Sequence, residues 1–262
     1  MIKLSCVIPS YKDPYNKKTV EDLLKHSELG DSLEIIVVQD GFWMPSDWIV
    51  NDPRVRYVHL GRNQGMREAI NAGVRVSRGE FIGRADEHIS VAPGFDKSMT
   101  DACKPNWIMT AIRYALDPVK WEVMKEVPPF IYEKLKIRDD MKFEGQRWPS
   151  RDKKRKHKMI DHTMATQGSC WVQSRSWWDK VIGELQTEGY GPHYQDQHEM
   201  VFKTWKAGGE LMLNKNTWFA HKHYSFPRSH KYGSQDQDPH IKFCLDTWRD
   251  YYEKEVRKRW KI

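Results

Sequence analysis

The stretch Leu33-Glu34-Ile35-Ile36-Val37-Val38-Gln39-Asp40-Gly41 decides the fold. Apart from Glu34, everything from Leu33 to Val38 is aliphatic, the pattern of a strand covered on both faces rather than one with a wet side. Upstream, Lys3–Pro9 is a second β-branched run, and Thr19–Lys25 between the two carries helical spacing, so a strand–helix–strand unit is complete by Val38. Downstream, Arg54–Leu60 alternates with period two, Met66–Val76 puts Ile70 and Val74 on one helical face, and Glu80–Gly83 is a short strand running into Asp86-Glu87-His88. The unit repeats, which predicts an α/β fold with a mostly parallel sheet flanked by helices. In such sheets ligands bind beyond the carboxyl ends of the strands. Pro9-Ser10-Tyr11, Gln39-Asp40-Gly41, Arg62-Asn63-Gln64-Gly65 and Asp86-Glu87-His88 all fall at that edge.

Beyond Ala115 the periodicity dissolves at Pro118, Pro128-Pro129 and Pro149, which predicts an insertion or long active-site loop. Order returns with Met164–Val172, a helix from Ser174 to Leu185, and a helix from Gln195 to Ala207 closed by Gly208-Gly209. Strands follow at Glu210–Leu213 and Thr217–Ala220. In the tail from Ile241 to Trp260, Phe243, Trp248, Tyr251 and Tyr252 stand near helical spacing and predict an aromatic face packed on the core.

With 262 residues, 39% hydrophobic and 30% charged, the chain can bury an ordinary core, which excludes disorder as its main state. No run approaches the roughly 18 apolar residues of a membrane span. The first residues lack the order of a signal peptide, so a cytoplasmic protein is expected, in a host cell's cytoplasm if the gene is phage-borne. Cys6, Cys103, Cys170 and Cys244 show no metal-knuckle or redox spacing, and Cys6 reads as a small buried thiol. The net charge is +7, and residues 151–158 hold Arg151, Lys153, Lys154, Arg155, Lys156 and Lys158. That run is either a solvated loop or the seat of an anionic partner.

Asp86 and His88 flank one residue at a strand end, where both side chains can reach one point and hold a divalent cation. Trp218-Phe219-Ala220-His221 ends a late strand and offers His221 as a third ligand, with His223 two residues on. Only a fold that joins the two strand ends makes this one site.

Such a fold is at hand. Cys6-Val7-Ile8-Pro9-Ser10-Tyr11, Glu34–Gly41, Arg62-Asn63-Gln64-Gly65 with Ala69, Asn71 and Gly73, and Arg78-Gly79-Glu80-Phe81-Ile82 followed by Asp86 together resemble glycosyltransferase family 2. The resemblance implies the GT-A fold, a Rossmann-like mixed sheet. Gln167–Val172 with Arg175 is similar to that family's acceptor strand, and Gln195-Asp196-Gln197-His198-Glu199 to its acidic catalytic helix. On this reading residues 1–262 form one transferase domain. Its parts are a nucleotide-sugar half (1–115), an insertion or acceptor loop (116–162), an acceptor and catalytic half (163–223) and a C-terminal extension (224–262).

Asp-x-His with Trp-x-x-His is similar to the polypeptide N-acetylgalactosaminyltransferases. It implies a UDP-sugar donor and Mn2+, or Mg2+, held by Asp86, His88 and His221. By the same resemblance Asp40 contacts the uracil or ribose, Pro9 and Tyr11 wall the base, and Arg67 lies close to the nucleotide. Family 2 usually carries Glu-Asp on the catalytic helix, whereas here Asp196 stands at the glutamate and Gln197, which cannot take a proton, at the aspartate. Either Asp196 is the base, with Glu199 in reserve, or the leaving phosphate serves with retention of configuration.

On the acceptor side, Gln167, Gly168, Trp171 and the cations Lys153, Lys154, Arg155 and Lys156 are the candidates. Cations interleaved with aromatics such as Arg147-Trp148 suit a nucleic-acid backbone with one base drawn out. The favoured acceptor is therefore a hydroxymethylated pyrimidine in DNA. A cell-envelope or polysaccharide transferase, and an inactive nucleic-acid-binding module on a transferase scaffold, stand as alternatives.

Overall fold

The computed structural model describes residues 1–223 and 239–262; positions 224–238 of the C-terminal extension lie outside the described residues. In chain order the first half runs β1 (Leu4–Ser10), α1 (Asn16–His26), β2 (Leu33–Asp40), β3 (Val55–Leu60), α2 (Met66–Val76), β4 (Phe81–Ala85), β5 (Ile89–Val91) and α3 (Phe95–Ala102). Then come β6 (Trp107–Asp117), β7 (Glu122–Val123), β8 (Glu133–Arg138), β9 (Lys142–Arg147), α4 (Pro149–Arg155), β10 (Ile160–His162) and β11 (Cys170–Ser174). The last elements are α5 (Arg175–Trp177), α6 (Asp196–Lys206), β12 (Glu210–His221), α7 (Phe243–Tyr251) and α8 (Arg257–Trp260).

The main sheet has the order β10-β12-β6-β11-β4-β1-β2-β3, with β5 paired to β12 and β7 to β6. β1, β2, β3 and β4 run parallel, as do β6 and β12, while β11 is antiparallel to both its neighbours. This is the mixed, mostly parallel α/β sheet that the Leu33–Val38 run predicts. Both its faces are covered, so β2 is buried along its whole length. One face packs on Ile70, Trp171, Trp178, Phe202 and Trp205, the other on Leu23, Phe95, Met99 and Phe219. All four cysteines are buried and unpaired, and burial pushes the Cys6 thiol up to about 12.

The stretch expected as a loop is ordered: β8 and β9 pair as an antiparallel hairpin, and α4 follows at once. Alternation of charged and aliphatic residues in Glu133-Lys134-Leu135-Lys136-Ile137-Arg138 outweighs the prolines, which punctuate the hairpin's ends. The two strands expected at Glu210–Leu213 and Thr217–Ala220 are one, β12, with its register shifted between Asn214 and Trp218. The helix expected over Ser174–Leu185 is shorter: α5 and a π-turn that ends at Ile182. The tail does lay its aromatics on the core. Trp248 stacks on Phe202 at 5.4 Å, and the Tyr252 hydroxyl donates to the Leu135 carbonyl at 2.9 Å. Among the described residues no helix is long and apolar enough to cross a membrane.

Candidate active site

Sheet pairing joins strand ends that are far apart in sequence. The end of β12 pairs antiparallel with β5, setting His221 opposite Ile89, and the Lys222 amide donates to the His88 carbonyl at 3.1 Å. Asp86, on the turn between β4 and β5, is tied to the start of β11 by its amide, which donates to Ser169 O at 2.8 Å. Candidate ligand atoms of Asp86, His88 and His221 consequently lie within 4.8 Å of one another. Asp86 Oδ2 is the common point, 3.2 Å from His221 Nε2 and 3.9 Å from His88 Nε2.

The donor set fits a divalent cation. Burial pushes the His221 imidazole down to about 3 despite Asp86 beside it, so its lone pair is free to ligate. Desolvation alone would raise the Asp86 carboxyl, but the Arg84 guanidinium and His221 more than offset it and hold Asp86 well below the usual carboxylate range. Metal–ligand bonds of about 2.2 Å span at most roughly 4.4 Å, so binding requires only a few tenths of an ångström of closure. Two imidazoles and one carboxylate suit Mn2+ better than Mg2+, which prefers oxygen alone.

Two residues that sequence reading missed hold the ligands in place. Asp13, fully buried, accepts from or pairs with His88 Nδ1 at 2.6 Å and thereby turns Nε2 toward the common point. Arg84 Nη2 donates to Asp86 Oδ1 at 2.7 Å, leaving Oδ2 to face the histidines. The Asp86 triplet and the Trp218–His221 strand end signalled the site; nothing local to Asp13 or Arg84 marks either.

Beside the triad lies a small open cleft lined by Pro9, Tyr11, Asp40, Asn63, Met66, Asp86 and His193 among others. Pro9, Tyr11, Asp40 and Asp86 thus share one cavity. The Asp40 carboxylate also closes the 62–65 turn, accepting from the Gln64 and Gly65 amides at 2.6 and 2.7 Å and from Asn63 Nδ2 at 2.8 Å. The turn needs glycine on both sides. Gly41 (φ 70°) lies so close to Asn63 that a Cβ would land on its backbone, and at Gly65 (φ 97°) one would stand 2.6 Å from Pro192 O.

The remaining candidates fall elsewhere. Arg67 does not approach the cleft: it is fully buried, donates to Gln186 O and Tyr194 O at 2.7 and 2.8 Å, pairs with Glu199, and lies 4.4 Å over the Tyr190 ring. Glu199, proposed from the sequence as a reserve base, is the buried counter-ion of Arg67, bound also by Lys203 Nζ at 2.7 Å. Asp196 is 3% exposed and accepts from Arg84 Nη1 at 2.5 Å, outside the cleft lining. Trp171 is core, fully buried and stacked on Trp178 at 5.9 Å, so it presents nothing to an acceptor.

Gln167 Nε2 donates to Glu133 Oε2 at 2.6 Å, and Gly168 leaves room for Gln197 Oε1, which a Cβ would crowd at 2.9 Å. The cationic run splits. Arg155 bonds Asp161 at 2.8 and 2.9 Å and Arg151 stacks over Trp148, Trp260 and Tyr132, whereas Lys153, Lys154, Lys156 and Lys158 are exposed. Arg155 is therefore spoken for internally.

Residues 5–182 match the family described as Glycosyl transferase family 2. Among curated proteins the chain is 29% identical over 109 residues to "Uncharacterized glycosyltransferase EpsJ" of Bacillus subtilis (strain 168), covering 39% of this chain and 31% of that protein. Among solved structures it is similar to GalNAc-T7, crystallised with UDP, GalNAc and Mn2+, with a TM-score of 0.78 and 17% identity over 98% of this chain. The chain spans half the length of that structure and under a third of the curated relative.

Proposed function

The chain belongs to glycosyl transferase family 2, and from that premise we propose that it moves a sugar from a UDP-sugar to a hydroxyl acceptor with the help of Mn2+. The observation that carries this reading is the convergence of Asp86, His88 and His221, with Asp86 itself lining the cleft shared by Pro9, Tyr11 and Asp40. A cation held by those three side chains would neutralise the charge that builds on the departing diphosphate. The chain's own part is preorganisation. Asp13 fixes the His88 ring, Arg84 fixes the Asp86 carboxylate, and Pro9 and Tyr11 line the cleft where a pyrimidine would lie. What supports UDP and Mn2+ is the fit of this donor set, together with the likeness to a fold neighbour crystallised with both.

For the acceptor, we infer a hydroxymethylated pyrimidine in DNA, on the ground that Lys153, Lys154, Lys156 and Lys158 stand exposed on and after α4 with no internal carboxylate among the described residues. The test is to incubate the protein with Mn2+, a panel of UDP-sugars, and hydroxymethylated or plain DNA, then weigh the nucleosides. Sugar appearing only on hydroxymethylated DNA, and only without chelator, is the expected outcome. Donor turnover with an anionic polysaccharide but never with DNA would replace the acceptor and leave the transferase standing.

A further inference from the structure

The segment that leaves β1 and the turn that carries two of the candidate ligands are stapled together by two carboxylates reaching in opposite directions. From the turn, Glu87, buried and standing in sequence between Asp86 and His88, accepts from the Ser10 hydroxyl through Oε2 and from the Tyr11 amide through Oε1 at 3.1 Å. From the segment, Asp13 meets His88 Nδ1 at 2.6 Å and takes the Tyr15 amide on its other oxygen at 2.9 Å. Lys12, between the two staples, has φ 60°, a left-handed backbone that a lysine keeps only where its surroundings over-determine it. Its ammonium lies 5.0 Å over the Tyr11 ring and 6.0 Å over the Phe42 ring. Ser10, Tyr11, Asp86 and Glu87 all line the cleft, so this staple is itself part of the wall. Glu87 stands outside the ligand triad, yet both its oxygens tie the triad's turn to the residues that face the base.

We propose that Glu87 is a positioning residue that couples the cation site to the base wall, so that the cleft grips the uridine part of a donor more tightly when Asp86, His88 and His221 hold Mn2+. The inference rests on the transferase reading above and deepens it, because that reading needs the metal only at the diphosphate. The path is short. Asp86 and His88 lose freedom when they ligate, and the backbone of the turn between them loses it too. Glu87 rides on that turn, so its carboxylate holds the Tyr11 amide and the Ser10 hydroxyl in one place. A base arriving afterwards meets a wall whose ordering cost is already met. A carboxylate can accept both bonds at once, whereas a carboxamide offers one accepting oxygen and a nitrogen that only donates. By linkage the effect runs both ways: uridine tightens Mn2+ by the same factor by which Mn2+ tightens uridine.

The probe is uridine, which carries no phosphate to meet the cation. Equilibrium dialysis of radiolabelled uridine with and without Mn2+, and electron spin resonance of free Mn2+ with and without uridine, give the coupling factor from both directions. In the parent it should be about fivefold or more and equal in the two measurements. Glu87→Gln should bring it to within about 1.5-fold of unity. Ser10→Ala keeps the carboxylate and removes one of its two links, so its factor should fall between the other two, with Mn2+ affinity in the absence of uridine within about twofold of the parent. Should Glu87→Gln fail to fold, Ser10→Ala decides, and a parental factor there overturns the proposal. A folded Glu87→Gln protein that keeps the parental factor overturns it too, even if both affinities fall, because an unchanged ratio is the mark of a merely structural residue. So does a parent that binds UDP with Mn2+ but binds uridine independently of the metal, or not at all; the transferase reading then stands alone. A parent that never binds UDP with Mn2+ brings down the transferase reading instead.

Discussion

Residues 1–115 and residues 116–223 of this chain are built on different principles. In residues 1–115 most candidate functional groups sit at the carboxyl end of a parallel strand, so register places them: Ser10 beside Gln39, Asp40 beside Leu60, Asp86 just past β4. In residues 116–223 His221, at the end of β12, is placed the same way, but Gln167 comes from a turn and Asp196 and Glu199 from a helix, and hydrogen bonds and ion pairs place them. Arg84 from the first stretch reaches across to Asp196, and Arg67 to Glu199. Register fixes positions that short motifs reveal, whereas long-range ion pairs decide which acidic residues remain free to react.

The sharpest way to break the comparison is Asp86→Ala. If the donor edge is one metal-dependent unit, this variant loses transfer by on the order of a thousandfold or more and loses Mn2+-dependent UDP binding, with its melting profile intact. UDP bound equally tightly by parent and variant would make the triad structural. Glu199→Ala is its counterpart on the other side. Removing one partner of a buried pair strands Arg67, so stability should drop by about 3–5 kcal/mol in urea or thermal unfolding while any folded fraction still binds UDP. A stable but inactive Glu199→Ala would restore it as a reacting group.

Asp13→Ala probes the outer support of the donor edge. Losing the carboxylate that orients His88 should weaken Mn2+ affinity by about 10–100-fold, read by metal titration against UDP binding, and excess Mn2+ should recover activity. Recovery is the discriminating result, because a folding defect would not respond to metal. Asp196→Asn is a smaller perturbation again. The amide oxygen still accepts from Arg84, so if the leaving phosphate rather than Asp196 takes the proton, transfer should fall by about tenfold at most. A hundredfold loss with donor binding kept would return the base role to Asp196.

These contrasts show why half the site was legible. Asp86-Glu87-His88 and Trp218-Phe219-Ala220-His221 are compact signals at strand ends, and pairing of β5 with β12 joins them without further information. Glu133, which anchors the acceptor candidate Gln167, lies in a strand that looks like any alternating edge, and its seat depends on Gly145 from another strand. Asp196 was read at the correct helix start, yet its fate is set by Arg84, 112 positions away in the chain. Arg67 and Trp171 were misplaced for the same reason: a helix face and a strand face look alike in sequence whether they meet ligand or core.

The smallest expected effect concerns the acceptor side's exposed charge. If Lys153, Lys154 and Lys156 follow a DNA backbone, each contact releases counter-ions, so replacing one by Ser should flatten the slope of log affinity against log salt by about 0.9 on duplex DNA. Arg155 gives the internal contrast. Its guanidinium is committed to Asp161, so Arg155→Ser should leave that slope nearly unchanged and instead cost stability by loosening α4 from β10. Equal slopes for all four variants and the parent would leave the run a solvated face. A change confined to the lysines would extend the comparison to the surface, where cations without internal partners are the ones available to a substrate.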